Sequence, residues 1–333
     1  MTDTTKPVLT VDHATVVYES DDGLACAVND ISFTVAPGQI LGIVGESGCG
    51  KSTLAYAIMH LLPANAALVE GKIQVQGVNV YRLTEDELRR FRWQHVSMVF
   101  QSALVTLNPV LTVGHQFREI FRIHAPALSR GAVGERIEEL LELVRIHPQH
   151  LRSYPHELSG GMRQRIAIAM AIALDPDLVI MDEPTTALDA VVQREILEEI
   201  RRIQAIKHFA VVFISHDLRL IRYISSAVMV MYAGRAVETG SADRFLHPAA
   251  HHPYTRGLLD SLPEWNVDRF QMRGIPGSPP DLAHPISGCA FRPRCPIARS
   301  ECSLAPPTLR DVGAGKIACI DVQSLAKGNE AHG

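Results

Sequence analysis

Short runs of β-branched and other apolar residues recur along the chain and predict β-strands. The predicted strands are residues 8–17, 31–35, 40–44, 72–76, 96–100, 178–181, 210–214 and 227–232. Between them, the pattern predicts helices over residues 52–62, 85–91, 160–174, 191–206 and 218–224. Strands that alternate with helices are typical of a largely parallel sheet with helices packed against it.

Two stretches depart from this alternation. From about residue 101 to residue 174 the pattern is helical, and Ile137, Leu140, Leu141 and Val144 fall on one helix face. After about residue 247 proline becomes frequent and the periodicity fades. We therefore predict an α/β protein with a helical insert and an appended C-terminal region.

Composition and charge exclude several classes of protein. The 333 residues are 47% hydrophobic and 20% charged, which is ordinary globular usage and not that of a disordered chain. The net charge of −4 argues against binding nucleic acid chiefly through phosphates. No apolar run approaches the ~20 residues that span a bilayer, and the first residues lack a signal-peptide pattern. We expect a cytoplasmic protein whose thiols are reduced.

Residues 45–53, GESGCGKST, follow an apolar strand and precede a helix. They fit the phosphate-binding loop G-x-x-x-x-G-K-[ST], in which backbone N–H groups and a helix N-terminus cradle phosphates. Lys51 would contact the β- and γ-phosphates and Ser52 would bind Mg²⁺. A chance glycine-rich turn is the alternative. The predicted nucleotide-binding residues are Gly45, Ser47, Gly48, Cys49, Gly50, Lys51, Ser52 and Thr53; Cys49 is interpreted as a tolerated small residue.

A pair of acidic residues ends the apolar strand at 178–181. Asp182 is placed to hold Mg²⁺, as in Walker-B strands. Glu183 is placed to orient or deprotonate an attacking water. The alternative is two acids that merely cap a strand.

Further strings complete a family pattern. LSGGMRQR lies at 158–165, Gln101 follows a predicted strand, Asp189 follows the acidic pair, and His216 ends the strand at 210–214. Tyr18 lies ahead of the phosphate loop. Over about residues 8–245, the order of these motifs resembles that in the ATP-binding subunit of an ABC transporter.

The resemblance implies the roles of these residues. Tyr18 would stack on adenine, Gln101 would contact Mg²⁺ and the attacking water, and His216 would hold the γ-phosphate. The signature residues would contact the ATP of a partner subunit, and Asp189 would organise the dimer interface. The signature residues are Ser159, Gly160, Gly161 and Gln164. Catalysis would rest on Glu183 with His216, Gln101 and Lys51.

The implied fold is a P-loop NTPase cassette. It has a RecA-like mixed-sheet core, an antiparallel β subdomain and a helical subdomain, followed by a cysteine-containing extension. The expected divisions are residues 1–100 for the β subdomain and first core part, 101–165 for the helical subdomain, 166–249 for the second core part and 250–333 for the extension.

The C-terminal region contains HPYT at 252–255 and four of the six cysteines: Cys289, Cys295, Cys302 and Cys319. It resembles the extension of oligopeptide, dipeptide and nickel ABC importers, in which such cysteines are associated with a [4Fe-4S] cluster. Zn²⁺, unligated thiols and disulfides remain alternatives, because the spacing fits neither common zinc sites nor ferredoxins. We expect Arg292, Arg294 and Arg299 to offset the charge of an anionic thiolate centre.

The resemblance implies two separate permease subunits, a second ATPase subunit and an extracytoplasmic binding protein, at the cytoplasmic face of a bacterial inner membrane. It favours a heteromeric pair of ATPases, and an identical second ATPase is the alternative. Peptides, nickel chelates and oligosaccharides all remain possible cargo. The contrasting class, a soluble ABC ATPase acting on DNA or ribosomes, is disfavoured by the single cassette, the acidic balance and the lack of coiled-coil heptads.

Overall fold

The computed structural model describes residues 6–20, 23–101, 107–186, 188–246, 250–261, 274–322 and 325. Its strands are β1 (Leu9–Ser20), β2 (Gly23–Val35), β3 (Ile40–Val44), β4 (Ala66–Val75), β5 (Val78–Asn79), β6 (Val96–Val99), β7 (Leu178–Asp182), β8 (Ala210–Ser215), β9 (Ala227–Tyr232), β10 (Arg235–Ser241), β11 (Arg310–Val312) and β12 (Gly315–Ile317). Its helices are α1 (Lys51–Ile58), α2 (Glu85–Gln94), α3 (Val113–His124), α4 (Arg130–Leu143), α5 (Gly160–Ala171), α6 (Ala190–Lys207), α7 (Leu218–Ile224) and α8 (Pro253–Asp260).

The strands form two sheets. The smaller one is antiparallel, in the order β2-β1-β4-β5. The larger one has the order β11-β12-β10-β9-β3-β8-β7-β6. Within it, β9, β3, β8, β7 and β6 run parallel, while β10, β11 and β12 are antiparallel to their neighbours. This mixed α/β arrangement confirms the predicted fold class.

The central strands β3, β7 and β8 are buried along their whole length. They are short and wholly apolar until their last residues, as expected for strands covered on both faces. Parallel strands present their carboxyl ends at one edge, so the segments after β3, β7 and β8 meet there. That edge carries the phosphate loop, the acidic pair and His216.

Several predicted elements differ from the observed ones at their ends. The helix predicted over 52–62 stops at Ile58, because His60 takes a left-handed backbone conformation with φ 50°. The helix predicted over 160–174 stops at Ala171, close to the left-handed Asp175. β5, β10, β11 and β12 were not predicted. β5, β11 and β12 have only two or three residues each, and β10 carries Arg, Glu, Thr and Ser among its seven positions.

The C-terminal region joins the core through a buried polar cluster around Glu238, whose side chain is 0% exposed. One carboxylate oxygen accepts hydrogen bonds from Arg244 Nε at 3.2 Å and His251 Nδ1 at 2.8 Å. The other accepts from the backbone N–H of His252 at 2.8 Å. Burial alone would raise the pKa of Glu238, but the hydrogen bonds from His251 and His252 hold it below its ordinary value. The cluster ties residues 251–252 to the sheet strand β10.

None of the helices within the described ranges is both long enough and apolar enough to cross a lipid bilayer.

Candidate functional site

The phosphate loop connects β3 to α1 and depends on glycine at two positions. Gly48 and Gly50 have φ of 79° and 99°, in the region that favours glycine. A Cβ on Gly50 would lie 2.0 Å from the carbonyl oxygen of Ala27, whereas one on Gly48 would meet nothing within 4 Å. Gly50 therefore permits close packing on β2, and Gly48 faces open space over the loop.

Lys51 is buried at the first position of α1, with 5% of its surface exposed. Its Nζ donates hydrogen bonds to the carbonyl oxygens of Gly45 and Glu46, both at 2.8 Å. The ammonium group therefore lies against the first two residues of the loop. When a nucleotide binds, Lys51 is placed to exchange these carbonyl oxygens for phosphate oxygens, as the motif requires.

Asp182 ends β7 and is 2% exposed. Burial raises the pKa of this carboxyl group above its ordinary value, and a hydrogen bond with Ser52 acts in the opposite direction. Its Oδ1 has no hydrogen-bond partner in the described structure. A buried, unpartnered carboxylate oxygen next to the Ser52 hydroxyl is the oxygen donor set that Mg²⁺ takes in P-loop proteins. The residues therefore fit the predicted Mg²⁺ site.

Glu183 follows immediately and has a left-handed backbone with φ 46°. This conformation is rare for residues with a Cβ and is concentrated at functional sites. Its Oε2 accepts a hydrogen bond from Thr186 Oγ1 at 2.7 Å and lies 2.9 Å from His216 Nδ1. The structure thereby brings together Glu183 and His216, which are 33 residues apart.

Other predicted residues surround this centre. The Tyr18 hydroxyl lies 3.2 Å from Thr53 Oγ1, which places the tyrosine beside the start of α1. Gln101 is exposed, just beyond β6. The backbone N–H of Cys49 donates to Glu46 O at 3.4 Å, and its thiol is buried.

The signature residues lie at the start of α5. Ser159 caps this helix by accepting a hydrogen bond from the Met162 N–H at 3.3 Å. A Cβ on Gly161 would lie 2.8 Å from Val192 Cγ1, so glycine lets α5 approach α6. Gln164 is 4% exposed and its Nε2 has no partner in the described structure.

Asp189 caps α6 through hydrogen bonds from the N–H groups of Val191 and Val192, at 3.1 and 3.0 Å. Among the described residues, no hydrogen bond or ion pair joins the signature residues to the phosphate loop. The structure thus groups the phosphate loop, Asp182, Glu183 and His216 in one place, and it leaves the signature turn unbonded to them.

Sequence reasoning missed the roles of three residues at the phosphate loop: Glu46, Tyr254 and Arg294. Arg294 forms a two-pronged ion pair with Glu46, which lies 248 residues earlier, at 2.7 and 2.9 Å. The prediction that Arg294 offsets thiolate charge is therefore wrong, because its guanidinium is already paired. Arg299 likewise pairs with Asp321. An acidic residue inside an anion-binding loop was the available signal that a cation must lie nearby.

The four C-terminal cysteines line one cavity, together with Phe291, Arg292 and Ile297 among others. The cavity volume is about 20 Å³, room for roughly one water. Burial raises the pKa of Cys295 to about 11 and also raises the pKa values of Cys289 and Cys319. Over the described part of the chain, no group of three or more His, Cys, Asp or Glu side chains is arranged to hold a metal ion. The structure gives the predicted [4Fe-4S] and Zn²⁺ ligation no direct support.

A phosphate loop after the first core strand, with an acidic pair and a histidine at the same sheet edge, defines an ATP-hydrolysing cassette. The comparisons agree. Residues 28–186 match the family described as ABC transporter, and residues 237–302 match the family described as oligopeptide/dipeptide transporter, C-terminal region.

Relatives extend the match over nearly the whole chain. The oligopeptide transport ATP-binding protein OppD of Haemophilus influenzae is 42% identical over 90% of this chain and 93% of its own. OppD of Escherichia coli is 42% identical over 94% of this chain and 93% of its own. Among solved structures, the cassette MJ0796, a dimer bound to ADP and Pi, matches 70% of this chain and 98% of its own, with a TM-score of 0.63 and 25% identity. The chain belongs to the ATP-binding subunits of ABC importers that carry the oligopeptide/dipeptide C-terminal region.

Proposed function

We propose that this chain powers the uptake of oligopeptides or dipeptides through separate permease subunits. The observation that carries the proposal is the combination of a phosphate loop and acidic pair with a C-terminal region that is bonded to the cassette at Glu46 and Glu238. The names of relatives that are 42% identical favour peptides over nickel chelates and oligosaccharides as cargo.

We further propose that two cassettes enclose ATP between them. The signature turn Ser159–Gly161 would contact the γ-phosphate bound by the partner, with Gln164 supporting the turn and Asp189 at the interface. Two features support this arrangement. Within the described ranges, no hydrogen bond or ion pair joins the signature turn to the phosphate loop of the same chain, and the structurally similar cassette MJ0796 was solved as a dimer. Tyr18 would stack on adenine, and Gln101 would face the attacking water.

For hydrolysis, Glu183 is the proposed general base. The Thr186 hydroxyl and His216 hold its Oε2 in place, which orients the other carboxylate oxygen for a water molecule. His216 is 58% exposed while it contacts Glu183, so the rest of its ring would be open to a γ-phosphate oxygen. Ser52, Asp182 and Gln101 would hold Mg²⁺, which supplies charge neutralisation between the phosphates when bound. Lys51 would bind the β- and γ-phosphates.

The proposed partners are two permeases, a second and different ATPase subunit, and an extracytoplasmic binding protein. The location would be the cytoplasmic face of the bacterial inner membrane. Co-expression with the candidate permeases tests this function. We expect the purified complex to hydrolyse ATP faster when a peptide-loaded binding protein is added. Co-purification with nucleic acid or ribosomes, and an ATPase rate that peptide and binding protein do not change, would contradict it.

We also propose that Cys289, Cys295, Cys302 and Cys319 ligate a [4Fe-4S] cluster, with Zn²⁺ as the alternative. The support is that all four thiols line one cavity and that four thiolates are a suitable ligand set for either group. Since the cavity holds roughly one water, the thiols would have to turn outward to admit a cluster.

This proposal predicts a brown protein with broad absorption near 400 nm, as the resemblance implies, after anaerobic purification. Replacing Cys295 with serine should remove most of the bound iron, whereas replacing Cys26, which lies outside the cavity, should leave it unchanged. Elemental analysis checks both variants. Zinc in place of iron would favour the alternative, and a metal-free, colourless protein would refute both.

A further inference from the structure

Glu46 occupies the first variable position of the phosphate loop and places a carboxylate beside a site for anions. Its side chain is 25% exposed, and Lys51 Nζ contacts its backbone carbonyl at 2.8 Å. An unpaired carboxylate here would repel the phosphates of a nucleotide, and the repulsion would be strong in a partly buried site. A cation paired with Glu46 would remove this repulsion.

Arg294 supplies that cation from the C-terminal region. Its Nη1 and Nη2 donate to the two carboxylate oxygens of Glu46 at 2.7 and 2.9 Å, and its side chain is only 5% exposed. Paired, two-pronged bonds of this kind are stronger and more directional than ordinary hydrogen bonds. The hydrogen bonds with Glu46 raise the pKa of Arg294, so the guanidinium group stays protonated and positively charged.

The guanidinium is itself fixed in place. Nε donates to the carbonyl oxygen of Pro276 at 2.7 Å, and Nη1 also donates to the Tyr232 hydroxyl at 3.3 Å. A second contact holds the Glu46 backbone, because its N–H donates to the Tyr254 hydroxyl at 2.8 Å. Tyr254 is fully buried and belongs to α8. Both the side chain and the main chain of Glu46 are thus held by residues that follow the cassette in sequence.

We propose that Arg294 is a positioning residue for ATP binding: it neutralises Glu46 and fixes the first turn of the phosphate loop. The affinity of the loop for ATP therefore depends on the C-terminal region. This inference rests on the ATP site proposed above. It differs from a role in docking the C-terminal region alone, which would affect folding and not nucleotide affinity.

The test measures the dissociation constant for Mg-ATP, together with KM and kcat, on the full chain in its transporter complex. We expect Arg294→Gln to weaken ATP binding by about tenfold while kcat changes less than twofold. Arg294→Lys keeps the positive charge but cannot donate two parallel hydrogen bonds to the carboxylate, and we expect it to weaken ATP binding by about threefold. Arg310→Gln, an exposed arginine on β11, is the matched control and should leave the affinity unchanged.

Removal of the carboxylate provides the decisive comparison. If repulsion by the unpaired Glu46 weakens ATP binding, then Glu46→Gln combined with Arg294→Gln should bind ATP within about threefold of the wild type. Thermal unfolding of each variant verifies folding; if Arg294→Gln does not fold, Arg294→Lys carries the test. Wild-type affinity in the folded Arg294 variants, or a double variant no better than Arg294→Gln, would overturn the inference. Failure of the wild type to bind ATP would instead overturn the proposed function.

Discussion

Replacing Glu183 with glutamine is expected to lower ATP hydrolysis by about 10²–10⁴-fold while ATP binding is kept, since glutamine cannot accept the proton of the attacking water. The amide is close in shape to the carboxylate, so its oxygen can still accept the Thr186 hydroxyl bond observed at 2.7 Å. With ATP bound but not hydrolysed, the closed dimer should accumulate. Turnover in the transporter complex and size-exclusion chromatography with ATP measure the two effects.

The matched control is Glu198→Gln, which removes an exposed carboxylate on α6 that pairs with Arg194. It changes the net charge by the same amount and should leave turnover unchanged. Normal turnover by Glu183→Gln would contradict the general-base assignment. Loss of ATP binding by this variant would instead mean that Glu183 supports the phosphate site.

Replacing Glu238 with alanine is expected to lower the free energy of unfolding by about 3–5 kcal/mol, because it leaves the buried charge of Arg244 without its partner. Arg244 is 6% exposed and His251 1% exposed, and both would lose their carboxylate partner. Denaturant unfolding of the full chain measures the change. Glu198→Ala again serves as control, because exposed i,i+4 pairs contribute about 0.3–0.5 kcal/mol.

The stabilisation by Glu238 should also depend on pH. Its folded-state pKa lies below the ordinary 4.5, so the unfolded chain takes up the proton first as the pH falls. The stabilisation is therefore fully present above the ordinary pKa and is lost as the pH falls through the folded-state value. The difference in unfolding free energy between wild type and Glu238→Gln should be constant above about pH 5 and shrink below it. A difference that grows on acidification would show that the carboxylate is not ionised in the native state.

Much of the fold could be predicted from sequence because the core strands are uniformly apolar. β3, β7 and β8 lie within a residue of their predicted bounds, since burial on both faces leaves a continuous hydrophobic signal. The ends of the helices were harder to predict from the sequence. Left-handed residues such as His60 stop a helix through local backbone geometry, which hydrophobic spacing does not encode.

The candidate site likewise contains residues that local sequence patterns identify and one contact that they do not. The loop glycines, Lys51 and the acidic pair belong to contiguous motifs, so local spacing was enough to single them out, and the structure brings Ser52 and Asp182 within hydrogen-bond distance. The pairing of Glu46 with Arg294 spans 248 residues and depends on how the C-terminal region folds back. Local patterns contain no information on such a contact, and for that reason Arg294 was assigned to the cysteines next to it in sequence.

β12 pairs with β10 through residues 315–317, and β11 adds to it in turn. The C-terminal region therefore covers an edge that the core sheet would otherwise present to solvent. A bare edge strand is a template for pairing with other chains. A protein shortened before His251 would lose β12 from the edge of β10 and would also lose the hydrogen bonds that His251 and His252 donate to Glu238, so it should aggregate. Deletion of the whole region cannot isolate the contribution of the cysteines; only point substitutions inside the cavity can.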